Sequence, residues 1–229
     1  MLTLRPAADR GTTNFGWLDS RHTFSFGDYY DPDHTHFRAL RVINDDRIAG
    51  GGGFPTHPHR DMEILTFVLS GAIQHRDSMG TGSVVKAGEW QSMSAGTGVA
   101  HSEFNPSKTE PMHLLQIWIV PDKKGYAPRY AQQSFADAPH GMWTTVATPD
   151  GRDGSMAIRQ DVVLSTAKLR PGDEVRYAFA PGRAGWLHLA TGTATVNGLS
   201  LTAGDGLAIT AEATITVTGD GEAILFDMA

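Results

Sequence analysis

The sequence contains no cysteine. Disulfide bonds, a thiol nucleophile, cysteine-ligated zinc and iron–sulfur clusters are therefore all excluded. If the chain binds a metal ion, the ligands must be histidine, aspartate or glutamate side chains. Ten histidines are present, so such a site is chemically available.

Long apolar runs and basic clusters are also missing. No stretch approaches membrane-spanning length, and the N-terminal sequence MLTLRPAADRG has charges and no long apolar stretch, unlike a secretory signal. The 19 basic and 25 acidic residues give a formal net charge of -6. Because no Lys/Arg patch is present, we expect no binding to nucleic acid or to an anionic membrane. These absences predict a soluble cytoplasmic protein.

The chain shows short apolar runs separated by glycine-containing turns, and helical periodicity is hard to find. Residues 63–69, 114–120 and 214–218 are examples of such runs. Many short strands closely spaced by turns are typical of β-sandwiches and barrels. The predicted fold class is therefore all-β.

A weak internal repeat predicts two tandem β-barrels or jelly-roll sandwiches. In the first half a strand-like run ends at Gly71, and the turn Ala87-Gly88-Glu89 follows. In the second half a run ends at Gly192, and an Asn-Gly hairpin signal precedes the turn Ala203-Gly204-Asp205. We expect domains over residues 1–130 and 131–229, joined by the segment 121–141, with the metal ligands in the first domain only.

Two segments of the first half have the form ligand-x-ligand: His57-Pro58-His59 and His101-Ser102-Glu103. Side chains on a strand project from the same face at every second residue. Two facing strands would thus direct three imidazoles and one carboxylate at one point, which suits a transition metal with open coordination positions. Glu63 shares the parity of His57 and His59 if the strand is unbroken, and it competes with Glu103 as the fourth ligand.

These segments resemble the two motifs of the cupin superfamily. The first motif matches from Gly51 through His57, His59 and Glu63, and the second matches at Gly98, His101 and Asn105, with Gly96 where proline is usual. The resemblance narrows to the pirin family through blocks that cover most of residues 1–130. These blocks are residues 16–32, 41–45, 56–63, 93–98, 101–105 and 116–118.

The pirin resemblance implies a bicupin that binds one divalent transition metal through His57, His59, His101 and Glu103. In that case Glu63 is not a ligand. It either supports the ligands from the second layer of residues or faces the substrate as an acid or base. Iron is the first expectation, but nickel, copper, manganese, cobalt and zinc accept the same ligands. Bound imidazoles also need hydrogen-bond partners that orient them, and Gln91, Asn105 and Gln116 are candidates.

The resemblance further implies an enzyme similar to quercetin 2,3-dioxygenase, an oxidoreductase that opens flavonols with dioxygen and releases carbon monoxide. In that reaction Glu103 or Glu63 would take the proton of the flavonol hydroxyl. The alternative is a metal-binding, redox-responsive regulatory protein that acts through a protein partner. The remaining histidines are expected to be structural or solvated: His22, His34 and His36 in a polar N-terminal loop, and the isolated His75, His113, His140 and His188.

Overall fold

The computed structural model describes residues 1–229 and consists almost entirely of β-strands. This confirms the predicted all-β fold class. The strands are β1 (Leu2–Arg5), β2 (Gly11–Asn14), β3 (Leu18–His22), β4 (Leu40–Ile48), β5 (Gly53–His59), β6 (Glu63–Ser70), β7 (Ala72–Asp77), β8 (Gly82–Lys86), β9 (Glu89–Ser94), β10 (Val99–Phe104), β11 (Met112–Ile119), β12 (Arg129–Ser134), β13 (Trp143–Thr148), β14 (Met156–Ala157), β15 (Val162–Leu169), β16 (Glu174–Ala178), β17 (Ala184–Val196), β18 (Leu199–Thr202), β19 (Gly206–Ile209) and β20 (Thr214–Met228). Two 3-10 helices, Ala7–Asp9 and Arg152–Gly154, are the helical segments, and neither has the length or apolar character that crossing a membrane requires.

The N-terminal unit comprises Gly11–Ala136 and Ile158–Gln160. A seven-stranded sheet has the order β12-β9-β6-β11-β4-β3-β2, and a four-stranded sheet has the order β5-β10-β7-β8. Strands β6 and β11 contain β-branched and aromatic residues, which favour extended backbone and pack well on a pleated surface, together with several leucines. Their apolar side chains are almost fully buried and form much of this unit's core.

The C-terminal unit comprises Met1–Arg10, Asp137–Ala157 and Asp161–Ala229. Its nine strands form one sheet in the order β1-β19-β17-β20-β15-β13-β14, with β16 paired to β20 and β18 paired to β17. The long strands β17 and β20 pair along most of their length. Buried aliphatic side chains such as Leu187, Leu207 and Leu225 form its core.

The internal repeat seen in the sequence has a structural counterpart in each unit. Glu89 accepts a hydrogen bond from the backbone N–H of Lys86 at 2.8 Å, and Asp205 accepts one from Thr202 at 2.7 Å. In both turns the central glycine is left-handed, with φ values of 79° at Gly88 and 89° at Gly204. The two halves therefore build the same Ala-Gly-acid turn, closed by the same hydrogen bond from a backbone N–H to the acidic side chain.

The compact units divide the chain at residues other than the predicted 130 and 131. Strand β12 pairs with β9, so the segment 121–141 contains a strand of the N-terminal unit rather than a bare connection. Strand β1 pairs with β19, so the first ten residues belong to the C-terminal unit. Both differences arise from strand pairings between residues distant in sequence.

Candidate metal centre

Strands β5 and β10 bring three imidazoles together. The strands are antiparallel neighbours, and His57 lies opposite His101 in their register. The ring centroids of His57 and His101 are 4.5 Å apart, those of His57 and His59 4.8 Å, and those of His59 and His101 4.9 Å. One ring nitrogen from each histidine lies within 4.8 Å of the others. The convergence follows from side-chain alternation along two paired strands.

Two glycines allow the chain to turn into β5 and allow β5 to pair closely with β10. Gly51 has a φ of 73°, in the left-handed region that favours glycine. A Cβ atom on Gly53 would lie 2.4 Å from the carbonyl oxygen of Glu103, which is too close for any side chain. A glycine at position 53 is therefore required for the pairing that sets the histidine register.

Glu103 is buried, and both of its carboxylate oxygens accept hydrogen bonds. Gln91 Nε2 donates to Oε1 at 2.7 Å, and Gln116 Nε2 donates to Oε2 at 2.9 Å. Thr66 lies between the two glutamines, donating to Gln116 Oε1 at 2.7 Å and accepting from Gln91 Nε2 at 2.9 Å. These three residues are register partners on β11, β6 and β9. The register of the sheet thus fixes the carboxylate's orientation.

Two of the three predicted supporting residues contact Glu103 rather than an imidazole. The third, Asn105, lies elsewhere: its Nδ2 donates to the carbonyl oxygens of Ile48, Ala49 and Glu110 at 3.2, 3.2 and 2.8 Å. Asn105 therefore connects the end of β4 and the loop that precedes β5 to the loop that precedes β11, and no hydrogen bond joins it to the histidines.

Hydrogen bonding indicates which ring nitrogen His57 and His101 present. His57 Nδ1 lies 2.7 Å from the carbonyl oxygen of Pro55. Because a carbonyl can only accept, Nδ1 must carry the proton, and the lone pair of His57 is on Nε2. His101 Nε2 is buried without any hydrogen-bond partner. A buried nitrogen without a partner is costly unless a ligand satisfies it.

His75 belongs to this site, contrary to the expectation of an isolated histidine. It is buried on β7, opposite Glu103 in the register of β7 and β10. One ligand atom each from His75, His101 and Glu103 lies within 4.8 Å of the others. His75 Nε2 is 3.0 Å from Asp77 Oδ2. The sequence signal that could have revealed it is the His75-Arg76-Asp77 segment, a further ligand-x-ligand pair on a strand.

Glu63 is not brought to the histidines. The shared parity required an unbroken strand, but Asp61 has a φ of 49° and the chain turns there, so Glu63 begins β6 in the other sheet. Its Oε2 accepts hydrogen bonds from Ser94 Oγ at 2.7 Å and from the backbone N–H of Arg159 at 3.2 Å. The structure thus separates Glu63 from the site and favours Glu103 as the carboxylate beside the imidazoles.

His22 also differs from its expected place in a solvated loop. It is buried on β3, with Nδ1 2.7 Å from Asn44 Oδ1 and Nε2 2.9 Å from Thr13 Oγ1. His34 and His36 are more exposed and bond locally, to Asp31 and Thr35. His113 contacts Asp45 at 2.6 Å, His140 is an exposed residue in an isolated bridge, and His188 is buried in the C-terminal unit. Both groups of clustered metal-binding side chains lie in the N-terminal unit.

A cavity of about 200 Å³ opens onto the histidine cluster. His57, His59 and Glu103 lie on its wall. Aromatic rings form other parts of the lining, and Trp118 packs edge-on to His59 at a centroid distance of 5.1 Å. Polar side chains complete the wall on β3 and β4. The residues that line the cavity are Thr13, Phe15, Leu18, Ser20, His22, Phe26, Gly27, Asp28, Asn44, Asp46, Phe54, His57, His59, Glu103, Gln116 and Trp118.

Burial controls the charge of the clustered groups. Desolvation, reinforced by the charge of His57, lowers the pKa of His59 to about 4. Desolvation and the neighbouring histidines lower the pKa of His101 to about 3. Both imidazoles are therefore neutral at pH 7, the form in which histidine coordinates metals. Desolvation also raises the pKa of Glu103 above its usual range.

The residues present fit a divalent transition metal. Three imidazoles and one carboxylate are a donor set that such ions accept, and four protein ligands leave two positions open on an octahedral ion. The partnerless Nε2 of His101 and the exposed lone pair on Nε2 of His57 are consistent with metal ligation.

Comparisons with known proteins agree with this fold. The family model for pirin matches residues 4–119, and the model for the quercetinase C-terminal cupin domain matches residues 145–228. The chain is 51% identical to a quercetin 2,3-dioxygenase of Escherichia coli strain K12 over 230 residues, covering 100% of this chain and 99% of the relative. It is 42% identical to a pirin-like protein of Caulobacter vibrioides over 233 residues, covering 100% of both.

A solved structure, the bacterial pirin YhhW of Escherichia coli in complex with nickel(II), is also similar. Its TM-score is 0.95 at 50% identity, with 100% of this chain and 99% of that chain covered. The two β units and the two family matches define a bicupin with a histidine-rich cavity in its N-terminal unit. More particularly, the chain belongs to the pirin family.

Proposed function

We propose that this protein is a metal-dependent dioxygenase that opens flavonols such as quercetin. In this proposal His57, His59, His101 and Glu103 hold one divalent transition metal at the wall of the aromatic-lined cavity. The observation that supports it most directly is the convergence of three imidazoles on a cavity of about 200 Å³. The full-length relative named quercetin 2,3-dioxygenase supports the reaction class.

The metal to be tested first is iron, and nickel is the next choice because a similar bacterial pirin was crystallised with nickel(II). A bound divalent ion supplies Lewis acidity and, where it is redox active, electron transfer. The side chains of this chain do the remaining work. Phe26, Phe54 and Trp118 offer flat apolar contacts to an aromatic substrate and limit the access of water.

The neutral imidazoles of His59 and His101 and the fixed carboxylate of Glu103 keep their donor atoms ready for the ion. Two amide donors hold Glu103, so its carboxylate need not reorganise on binding. This preorganisation by hydrogen bonds behind the ligands is how proteins commonly tune a metal site.

The test is a quercetin assay on protein loaded separately with iron and with nickel. We expect oxygen consumption and carbon monoxide release with at least one metal. The variants His101→Ala and Glu103→Ala should lose at least about a hundredfold in rate, since general contributions of such groups are of that size. His36→Ala is the matched control, because His36 is exposed and bonds to Thr35 away from the cavity.

Full turnover by His101→Ala or Glu103→Ala would contradict the proposal. Absence of turnover by the wild-type protein with every metal would also contradict it. In the latter case, recovery of one stoichiometric protein partner would favour the regulatory alternative.

A further inference from the structure

A second carboxyl group lies in the wall of the same cavity. Asp46 is on β4, is only 3% exposed, and lines the cavity with His57 and His59. It lies opposite Ser20 in the register of β3 and β4, and Ser20 Oγ donates to its Oδ1 at 2.5 Å. Ser20 is the one hydrogen-bond partner of this carboxylate, so Oδ2 is left available to a molecule in the cavity.

The other carboxylates near the site are poorly suited to accept a proton from a ligand there. Glu63 does not line the cavity and is bonded to Ser94 and to the Arg159 backbone. Glu103 already accepts hydrogen bonds from Gln91 and Gln116 on its two oxygens. Asp28 lies in an exposed part of the wall, where water competes with a ligand for its carboxylate oxygens.

The surroundings of Asp46 favour proton uptake. Desolvation, opposed by the Ser20 hydrogen bond and reinforced by the charges of Asp45 and Glu103, raises the pKa of the Asp46 carboxyl to about 7. A base is most effective when its pKa is near the working pH. The neighbouring His22 cannot take this role, because its two ring nitrogens are bonded to Asn44 and Thr13.

We propose that Asp46 is a catalytic residue that accepts the proton of an acidic aromatic hydroxyl bound in this cavity, with Ser20 holding its carboxylate in place. The proposal rests on the flavonol-opening function and names the proton acceptor of that reaction. The O–H bond of the hydroxyl breaks, and a new O–H bond forms at Asp46 Oδ2. The electron pair stays on the substrate oxygen, which becomes a phenolate-type anion, and nothing is oxidised or reduced in this step.

The substrate class follows from the same wall. An aromatic ring bearing an acidic hydroxyl can pack against the apolar rings of the cavity while its hydroxyl reaches a buried carboxylate. A non-hydroxylated aromatic would leave Oδ2 of Asp46 without a partner, although Ser20 still bonds to Oδ1, and an unsatisfied buried oxygen carries a free-energy cost. The cavity therefore selects for hydroxylated rings.

The test measures ionisation and turnover separately. Quercetin is bound without oxygen to metal-loaded wild-type protein and to Asp46→Asn, and the fraction of ionised flavonol is read from the red shift of its absorption. We expect the ionised fraction in Asp46→Asn to fall at least about tenfold, with kcat lower by about 10²–10⁴ and KM changed much less. Ser20→Ala should show a smaller fall in both quantities.

Asp19→Asn is the control, because Asp19 is on the same pair of strands but is only partly buried, does not line the cavity and pairs with Arg21. Circular dichroism and metal content confirm that each variant is folded and loaded. If Asp46→Asn keeps both its ionised fraction and its kcat within about threefold of wild type, the assignment is overturned while the flavonol function stands. If wild-type protein binds and ionises quercetin, and Asp46→Asn does not, but no turnover occurs, the assignment stands while the function fails. Absence of any quercetin binding overturns both.

Discussion

The Nδ1 atom of His101 lies 3.5 Å from the Nδ1 atom of His75, and both rings are buried. On the far side of His75, Nε2 is 3.0 Å from the carboxylate of Asp77. Because a carboxylate accepts, a neutral His75 carries its proton on Nε2 and presents a lone pair at Nδ1. His101 Nδ1 then donates to His75, and the lone pair of His101 is left on Nε2. Asp77 thus determines, through His75, that His101 presents Nε2, the nitrogen that would bind the metal in the proposed centre.

Asp77→Asn should reverse this order of donors and weaken metal binding. An amide NH₂ at the position of Oδ2 would donate to His75 Nε2, so His75 would donate to His101 Nδ1 and leave the proton on His101 Nε2. We expect metal affinity to fall about 10–100-fold, the usual effect of losing such a partner. Competition with a chelator measures the affinity, and Asp31→Asn is the matched control, since it alters an aspartate–histidine pair with His34 away from the cavity. Unchanged affinity in Asp77→Asn would contradict this ordering of protons.

Gln116→Leu should loosen the carboxylate of Glu103. The substitution removes the donor to Oε2 and also removes the acceptor of Thr66. We expect metal affinity to fall roughly tenfold, and the free energy of unfolding to fall by about 1–3 kcal/mol because a buried acceptor loses its partner. Gln74→Leu serves as the control for adding a leucine to a strand of this unit. Wild-type affinity in Gln116→Leu would show that Glu103 needs no such support.

Asp46→Asn should change how stability depends on pH in the chelator-treated protein. The folded state raises the pKa of Asp46 from 3.8 to about 7, so the folded protein holds a proton that the unfolded chain releases between these values. In the wild-type protein, the contribution of Asp46 to the free energy of unfolding is fully present below about pH 4. This contribution is lost as the pH rises to 7. The advantage of Asp46→Asn over wild type should therefore grow from pH 4 to pH 7 and then level off, reaching at most about 4 kcal/mol. Urea unfolding across this range measures it; a difference that does not vary with pH would be inconsistent with a raised pKa.

Asn105→Ala should destabilise the N-terminal unit without removing the metal. The side chain donates to three carbonyl groups and accepts from the backbone N–H of Ser107 at 3.0 Å. Losing these bonds should lower the free energy of unfolding by about 1–3 kcal/mol. Metal content at 25 °C should stay at the wild-type level, because Asn105 does not touch the histidines or Glu103. Loss of metal from a folded Asn105→Ala protein would instead place this residue in the site.

The convergence of His57, His59 and His101 could be predicted from sequence because it needs only side-chain alternation and the pairing of two strands. Glu63 has the same sequence parity as His57 and His59. However, Asp61 adopts a left-handed backbone conformation, and the chain turns there into another sheet. Local sequence does not show whether a residue such as Asp61 turns the chain. The pirin resemblance, which draws on many residues together, favours Glu103, and the structure places that carboxylate beside His101.

The sequence marks His75 through the His75-Arg76-Asp77 segment but does not place it at the site, and it gives no signal for His22 or Asp46. All three reach the site through strand register. Asp46 faces the cavity because β4 pairs with β3 and β11 in one particular register, and a shift of one residue would turn it away. Register between distant strands depends on the whole sheet. The same reason explains why β1 was expected in the first domain and is found beside β19.

The most direct test of the proposed centre is a crystal structure of the protein loaded with nickel or iron, with anomalous diffraction measured at the absorption edge of that metal. The account predicts one strong anomalous peak per chain, about 2.0–2.2 Å from nitrogen atoms of His57, His59 and His101 and from a carboxylate oxygen of Glu103. A fully loaded protein whose anomalous peak lies elsewhere, or that lacks Glu103 among the ligands, would contradict it.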